Sequence, residues 1–304
     1  MQYQKSSHCS EKRGGVLLSV IIPCLKAADT LGVQLDALSK QKWDKPWEVI
    51  VADNGSSDDT VKIVEYYQDR FQRLRIVDAS DKKGPSHARN VGADASNAEL
   101  LAFCDADDEV ASGWVAAIGE SILANDFVAS RLEFARLSDS ILLKGKKKWR
   151  QKDELIIYNY VPYFFHADTS GLGIKRSIHE TIGGFDESML CCEDCDYCWR
   201  AQLTGVVLHF EPNALVHKRH KASRVKRFYQ ARKWGEYNVL LHKKFRPLGM
   251  PKASWKIGAR LWWSLLKRFP QTISHTSQRE NWLWQLGYRY GHLHGSIKHC
   301  IIVL

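Results

Sequence analysis

No stretch of this sequence stays apolar for the roughly 18 residues that crossing a bilayer requires, and Met1 to Gly15 lack the apolar core of a secretory signal. Internal repeats and low-complexity tracts are absent. A composition 44% hydrophobic and 26% charged excludes intrinsic disorder as the main state. These absences point to a globular, cytoplasmic protein. In a chain of this length, its eight cysteines then read mostly as reduced thiols rather than as a disulfide framework. Acid is scarce in one place: from Lys218 to Arg268, 16 Lys and Arg face only Glu236. That stretch carries +15 of a chain whose net charge is +10, so the rest is mildly acidic. Such asymmetry suggests a body that performs chemistry and an extension that meets an anionic surface.

What is present alternates. Val16-Leu-Leu-Ser-Val-Ile-Ile, closed by Pro23, is a short β-branched run of the kind buried on both faces. Leu31, Leu35 and Leu38 follow at helical spacing, then the strand Trp47-Glu-Val-Ile-Val-Ala and the turn-rich Asn54-Gly-Ser-Ser-Asp-Asp-Thr60. A helix carrying Val61, Val64 and Phe71, a third strand at Leu74, a small-residue helix over Ser86 to Ala98 and a fourth strand from Leu100 to Cys104 complete the pattern. Strand–helix alternation predicts a mostly parallel sheet flanked by helices, an α/β fold with ligands bound beyond the carboxyl ends of the strands. Asp53 follows the second strand and Asp105-Ala106-Asp107-Asp108 the fourth, so acids gather on that edge. Clustered carboxylates are most easily kept together by a cation, and oxygen ligands suit Mg²⁺ or Mn²⁺ better than zinc.

Six segments in order now resemble the family 2 inverting glycosyltransferases of the Rossmann-like GT-A fold. They are Ser19-Val-Ile-Ile-Pro23, Glu48 to Thr60, Gly84-Pro-Ser-His-Ala-Arg89-Asn-Val-Gly92, Phe103 to Asp108, Ile182-Gly-Gly-Phe-Asp-Glu187 and Glu193-Asp194, the last opening a segment through Trp199-Arg200. The resemblance implies a metal-dependent enzyme that moves a sugar from a nucleotide-diphosphate donor, expected to be UDP-linked, to an acceptor hydroxyl in glycan, polysaccharide or glycolipid synthesis. It places Asp53 on the nucleotide base, with a turn or helix-cap aspartate as the plainer alternative. Asp105, Ala106 and Asp107 match the DxD element, with Asp107 on Mn²⁺ or Mg²⁺. Arg89 matches an arginine beside the nucleotide, although a structural ion pair is as good a reading. Pro23 and Gly84 match backbone-shaping positions at the nucleotide-sugar site. Asp194 is the expected catalytic base, since an inverting transfer needs a carboxylate to take the acceptor proton; a helix-dipole aspartate is the alternative. His217 is expected to complete the metal site, with His220 in reserve. Asp196 and Arg200, four apart, are expected to form a structural pair. The sequence departs from the family at Ala52, where a second acid is usual, and at Lys82, where asparagine is common; both bear on the identity of the nucleotide.

Residues 1–15 are expected to be a flexible N-terminus, 16–110 the nucleotide-sugar half of the GT-A domain, 111–220 the acceptor and catalytic half, and 221–304 a basic, Trp-rich helical region. A basic loop near Lys144 to Lys152 is expected to cover the site. Cys191, Cys192, Cys195 and Cys198 have spacing that in isolation suits a metal cluster, but they overlap the catalytic element, lack a partner Cys pair elsewhere and read rather as helix packing. Cys192, beside the acids, is also a candidate oxidation-sensitive thiol. In the tail, Trp255, Trp262, Leu265, Leu266 and Phe269 lie mainly on one side of a helix, with Lys256, Arg260 and Lys267 elsewhere. This suits either packing on the core or peripheral adsorption, through residues 218–269, to the anionic inner face of a membrane, which fits a lipid-linked or glycan acceptor. Nucleic acid is not an expected partner. Two rival functions stand beside this one. A sugar nucleotidyltransferase would carry a glycine-rich basic loop after the first strand, which Pro23-Cys-Leu-Lys-Ala-Ala does not supply. A non-catalytic basic protein would bind membrane or nucleic acid without needing Asp107 or Asp194.

Overall fold

The computed structural model describes residues 15–137, 151–157, 163–219, 224–270 and 276–303. His220, the expected flexible residues 1–14 and residues 144–150 of the basic loop lie outside the described residues. Eight strands form one sheet. β1 (Leu18–Cys24), β2 (Trp47–Asp53), β3 (Leu74–Asp78) and β4 (Leu100–Phe103) run parallel in the order β3-β2-β1-β4. β5 (Glu109–Val110), β6 (Phe127–Glu133), β9 (Leu172–Lys175) and β10 (Leu208–His217) extend it as β4-β9-β6-β10-β5. β7 (Ile156–Ile157) and β8 (Phe165–His166) form a separate two-stranded ribbon.

The continuous apolar runs are explained by the two faces of the sheet. Leu18, Val20 and Ile22 of β1 pack with Leu31, Leu35 and Leu38 of α1 (Leu31–Ser39) on one side. Ile21 faces the other way, with Leu101, Phe103, Tyr197 and Trp199. Pro23 lies beyond the point where β1 stops pairing with β4, where its missing N–H costs no ladder bond. The small-residue segment forms α3 (Pro85–Ala95), and its Gly92 is needed there: a Cβ would stand 2.5 Å from Cγ2 of Ile21.

β9 was not legible in the sequence. It is antiparallel to both β4 and β6 and only four residues long. Its Gly173 admits α4 (Trp114–Asn125) so closely that a Cβ would lie 2.6 Å from Cδ1 of Ile122.

α5 (Arg176–Thr181) follows β9, and α6 (Glu193–Leu203) precedes β10. Three helices then form the C-terminal region: α7 (Arg224–Phe245), α8 (Trp255–Arg268) and α9 (Thr276–Lys298). α7 and α9 meet backbone to backbone through Gly235, Gly287, Gly291 and Gly295. A Cβ on Gly235 would sit 2.1 Å from the carbonyl oxygen of Tyr288, and one on Gly291 would sit 2.0 Å from that of Arg232. Leu241, Phe245 and Met250 join the core cluster of Trp199, with the Phe245 and Trp199 rings edge to face at 5.1 Å. Lys244 of α7 reaches the buried Asp196 of α6 at 2.5 Å and Asp186 at 2.7 Å. α7 therefore packs on the α/β body, whereas the side of α8 expected to pack there does not: Trp255, Leu266 and Phe269 are exposed, and Leu265 O accepts from Trp282 of α9.

Because neither backbone can retreat from the other, Gly291→Val should lower the stability of the α7–α9 pair by at least about 2 kcal/mol. Limited proteolysis should then cut within residues 246–300 well before it does in wild type. Unchanged protease resistance and unchanged urea midpoint would contradict the close crossing.

Candidate active site

Asp53 ends β2 with both carboxylate oxygens accepting the N–H of Ser56, at 3.2 and 3.3 Å. The side chain thus holds the turn that follows, whose members fasten the β1–α1 loop. Ser56 Oγ accepts from Lys26 N–H at 2.9 Å, and Thr60 Oγ1 accepts from Ala27 N–H at 2.9 Å. Asn54 reaches the other way. Its Oδ1 accepts from Gly84 N–H at 2.8 Å and its Nδ2 donates to Lys82 O at 2.8 Å, fixing the entry to α3. Gly84 has φ +139, a conformation that favours glycine, immediately before Pro85 at the first turn of α3. Lys82, one of the family departures, pairs with Glu187 at 2.6 Å. Asn90 also holds the Phe185-to-Glu187 segment, accepting from Phe185 N–H at 2.8 Å and donating to Glu187 at 3.0 Å.

The acids after β4 divide by what holds them. Ligand oxygens of Asp105, Asp107 and Asp108 all lie within 4.8 Å of one another, a spacing one cation can bridge. Asp105 Oδ1 takes Arg89 Nη2 at 2.9 Å and its Oδ2 takes Lys218 Nζ at 3.2 Å. Asp108 accepts from Ser170 Oγ at 2.5 Å, from the N–H of Arg219 at 2.8 Å and from Lys218 at 3.4 Å. Burial pushes the Asp105 carboxyl up, but the Lys218 and Arg89 charges outweigh it and hold its pKa below the usual range. Asp108 goes the other way: burial dominates and pushes it up despite Lys218. Ala106 is the buried residue of the turn between these acids.

Two residues here escaped the sequence reading. Lys218 Nζ also meets Asp168 at 2.7 Å, so one ammonium joins the DxD loop to the loop before β9. Neither Lys218 nor Asp168 belongs to a recognisable motif; a basic residue directly after His217 was the only available signal. Arg89, 3% exposed, makes a second bridge: beyond Asp105 its Nη1 lies 3.6 Å from Glu193 at the start of α6. The guanidinium therefore forms the structural ion pair considered for it and brings the Asp105 and Glu193-Asp194 elements together.

Asp194 lies in the first turn of α6, and its Oδ1 accepts from Cys195 N–H at 2.8 Å. Burial, with added repulsion from Glu193 and Asp168, pushes its carboxyl up to about 7. A carboxylate so placed is a proton acceptor near neutral pH. Asp196 and Arg200 form the expected pair, Nε to Oδ2 at 2.7 Å. Cys191, Cys195 and Cys198 are buried as free thiols, with Cys198 Sγ donating to Ala167 O at 3.7 Å. Cys195 and Cys198 pack the core, and among the described residues the acids after β4 are the only group of three or more with metal-ligand spacing. The Cys192 thiol is pushed well up by the Cys191 contact and by burial, which opposes the expectation of an oxidation-sensitive thiolate. His217 ends β10, and its Nδ1 lies 2.9 Å from Glu133 Oε2. A ring that donates from Nδ1 to a carboxylate keeps its Nε2 lone pair for another partner.

The sequence profile of glycosyl transferase family 2 matches residues 19–183, and the chain belongs to that family. Glycosyltransferase AglE of Haloferax volcanii is 28% identical over 235 residues, covering 75% of this chain and 71% of that protein. The uncharacterized glycosyltransferase YibD of Escherichia coli is 38% identical over 93 residues, covering 31% of this chain but only 26% of its own length. Among solved structures, the mannosyltransferase PcManGT of Pyrobaculum calidifontis, in complex with GDP-Man and Mn²⁺, superposes with a TM-score of 0.63 at 15% identity, covering 96% of this chain and 90% of that one. The fold is thus GT-A-like and the chain a glycosyltransferase. That decides against the sugar nucleotidyltransferase and against a purely binding protein.

The raised carboxyl of Asp194 carries a stability cost with a definite sign. A folded pKa above the unfolded value means that the folded state binds more protons between about 4 and 7, so stability falls as pH rises through that window. Asp194→Asn should therefore be more stable than wild type to urea at pH 8 and nearly equal to it at pH 4. Equal stability at both would contradict the buried, repelled environment described for Asp194.

Proposed function

We propose that the chain is an inverting, metal-dependent transferase that moves a sugar from a nucleoside-diphosphate donor to a hydroxyl of a glycan or lipid-linked acceptor. The observation that carries this reading is the Arg89 bridge, which sets a carboxylate pushed up to about 7, Asp194, beside the acid-bearing edge of a GT-A sheet. Asp194 takes the acceptor proton as the oxygen attacks the anomeric carbon. The donor lies across the carboxyl edge of β1, β2 and β4, shaped by Pro23, Gly84 and Ala106, with Asp53 at the base and Arg89 and Asp105 framing the diphosphate side. A uridine base is the expected one.

The donor set fits a hard divalent cation. Among the three acids, Asp107 is the proposed ligand because it stands at the DxD position that the resemblance puts on the ion; the oxygens of Asp105 and Asp108 accept from protein donors as well. His217, oriented by Glu133, offers Nε2, a better match for Mn²⁺ than for Mg²⁺. When bound, the ion would neutralise charge developing on the departing nucleoside diphosphate.

Nucleoside-diphosphate release from a panel of nucleotide sugars with Mn²⁺ or Mg²⁺ tests this directly. One donor should be turned over slowly without acceptor, and Asp107→Ala and Asp194→Asn should each lower the rate by roughly a hundredfold or more. Failure of every donor to react, together with absence of metal-dependent donor binding by calorimetry, would refute the reading.

The pH dependence is a separate test. Because Asp194 must be ionised to act, kcat/KM should fall as pH drops through about 7. An acidic limb near 4 would remove Asp194 as the base.

A further inference from the structure

The described helices include none long and apolar enough to cross a membrane, yet α8 leaves a coherent apolar face uncovered. Gly258 and Leu265 are its buried residues, and the carbonyl of Leu265 accepts from the Trp282 indole N–H at 2.8 Å, so α8 is seated on α9 by one side. Turned away from that side are Trp255, 65% exposed, Trp263, 60%, and Leu266, 61%. They fall at positions i, i+8 and i+11, a single stripe of the helix with Ala259 between them. Lys256, Arg260 and Lys267 fall at i, i+4 and i+11 and form a parallel exposed stripe on one flank, with Lys267 lying 5.4 Å over the Trp263 ring. No Asp or Glu occurs anywhere from Tyr237 to Arg279.

The geometry points to α8 as a helix that lies in the plane of an anionic membrane, with Trp255, Trp263 and Leu266 entering the headgroup–acyl boundary and Lys256, Arg260 and Lys267 on lipid phosphates. The occupant is chosen by charge and by ring type. An exposed apolar stripe flanked by cations that make no ion pair among the described residues is complementary to anionic lipid, and tryptophan favours the interface between headgroup and acyl chain. The helix remains docked through Leu265, so binding needs no unfolding of the tail. The inference concerns the tail alone and stands whichever donor and acceptor the catalytic edge takes.

The test is co-sedimentation of the full chain with vesicles of phosphatidylcholine alone or with about one-third phosphatidylglycerol, at low and high salt, for wild type and two variants. Wild type should prefer the anionic vesicles strongly and lose much of that preference at high salt. Lys256→Gln/Arg260→Gln/Lys267→Gln should weaken anionic binding by on the order of a hundredfold, since each basic residue near such a surface contributes about fivefold. Trp263→Ser/Leu266→Gln should retain weak binding at low salt and lose what survives at high salt. Both variants change exposed residues, so an unchanged circular dichroism spectrum and urea midpoint certify their folding. Equal binding to both vesicle types, binding untouched by either variant, or a wild-type dimer that the Trp263/Leu266 variant dissociates without any vesicle binding would each overturn the proposal, the last assigning the face to a second copy of the chain.

Discussion

Two cations hold the catalytic end of this chain together. Arg89 comes from α3 and Lys218 from the residue after β10, and between them they contact Asp105, Asp108, Asp168 and Glu193. Their partners sit on segments far apart in sequence: the turn after β4, the loop before β9 and the start of α6. Charges in a partly dehydrated edge persist only when paired and hydrogen-bonded, so each cation constrains where these segments can go. Two carboxylates at this edge are set against their environment, Asp108 and Asp194; burial does most to raise Asp194, and repulsion from Glu193 and Asp168 adds to it. Strain of this kind is what a general base near neutral pH requires.

The same logic reaches the C-terminal helices. Asp196, fully buried in the same first turn as the Glu193-Asp194 pair, is ion-paired with Arg200 from its own helix and with Lys244 from α7. The tail thus supplies a counter-ion to the helix that carries Asp194, and covers the Trp199 core. Its glycine-lined crossing of α7 and α9 keeps this platform rigid. α8, resting on α9, is left with its tryptophans outward.

Much of this was readable in the sequence because local pattern and tertiary role coincide there. The β-branched runs of β1 and β2 are buried on both faces, as their lack of polar alternation requires, and Asp53, Asp105 and Asp194 stand at element ends where punctuation residues marked them. Arg89 and Asp53 show the limit. Each is motif-positioned, and each makes the structural contact that was the plainer alternative. Lys218 and Asp168 were invisible because their significance lies in meeting across 50 residues of chain, which no local spacing encodes. β9 was missed for a related reason: four residues, one of them a glycine dictated by Ile122, carry no strand periodicity. The cysteine spacing was legible as packing: Cys195 and Cys198, three apart on α6, lie on the helix face turned to the core.

In the proposed site Asp107, with His217, receives the ion that carries the donor diphosphate, while Asp105 and Asp108 stay committed to Arg89 and Lys218. Anomalous diffraction at the manganese edge, from crystals grown with Mn²⁺ and a nucleoside diphosphate, reads this in one map. The expected result is a single peak about 2.1 Å from an Asp107 carboxylate oxygen, with the Lys218 ammonium still on Asp105 and Asp168. A nucleotide bound at the carboxyl edge without any peak, its diphosphate held instead by Lys218 and Arg89, would contradict it.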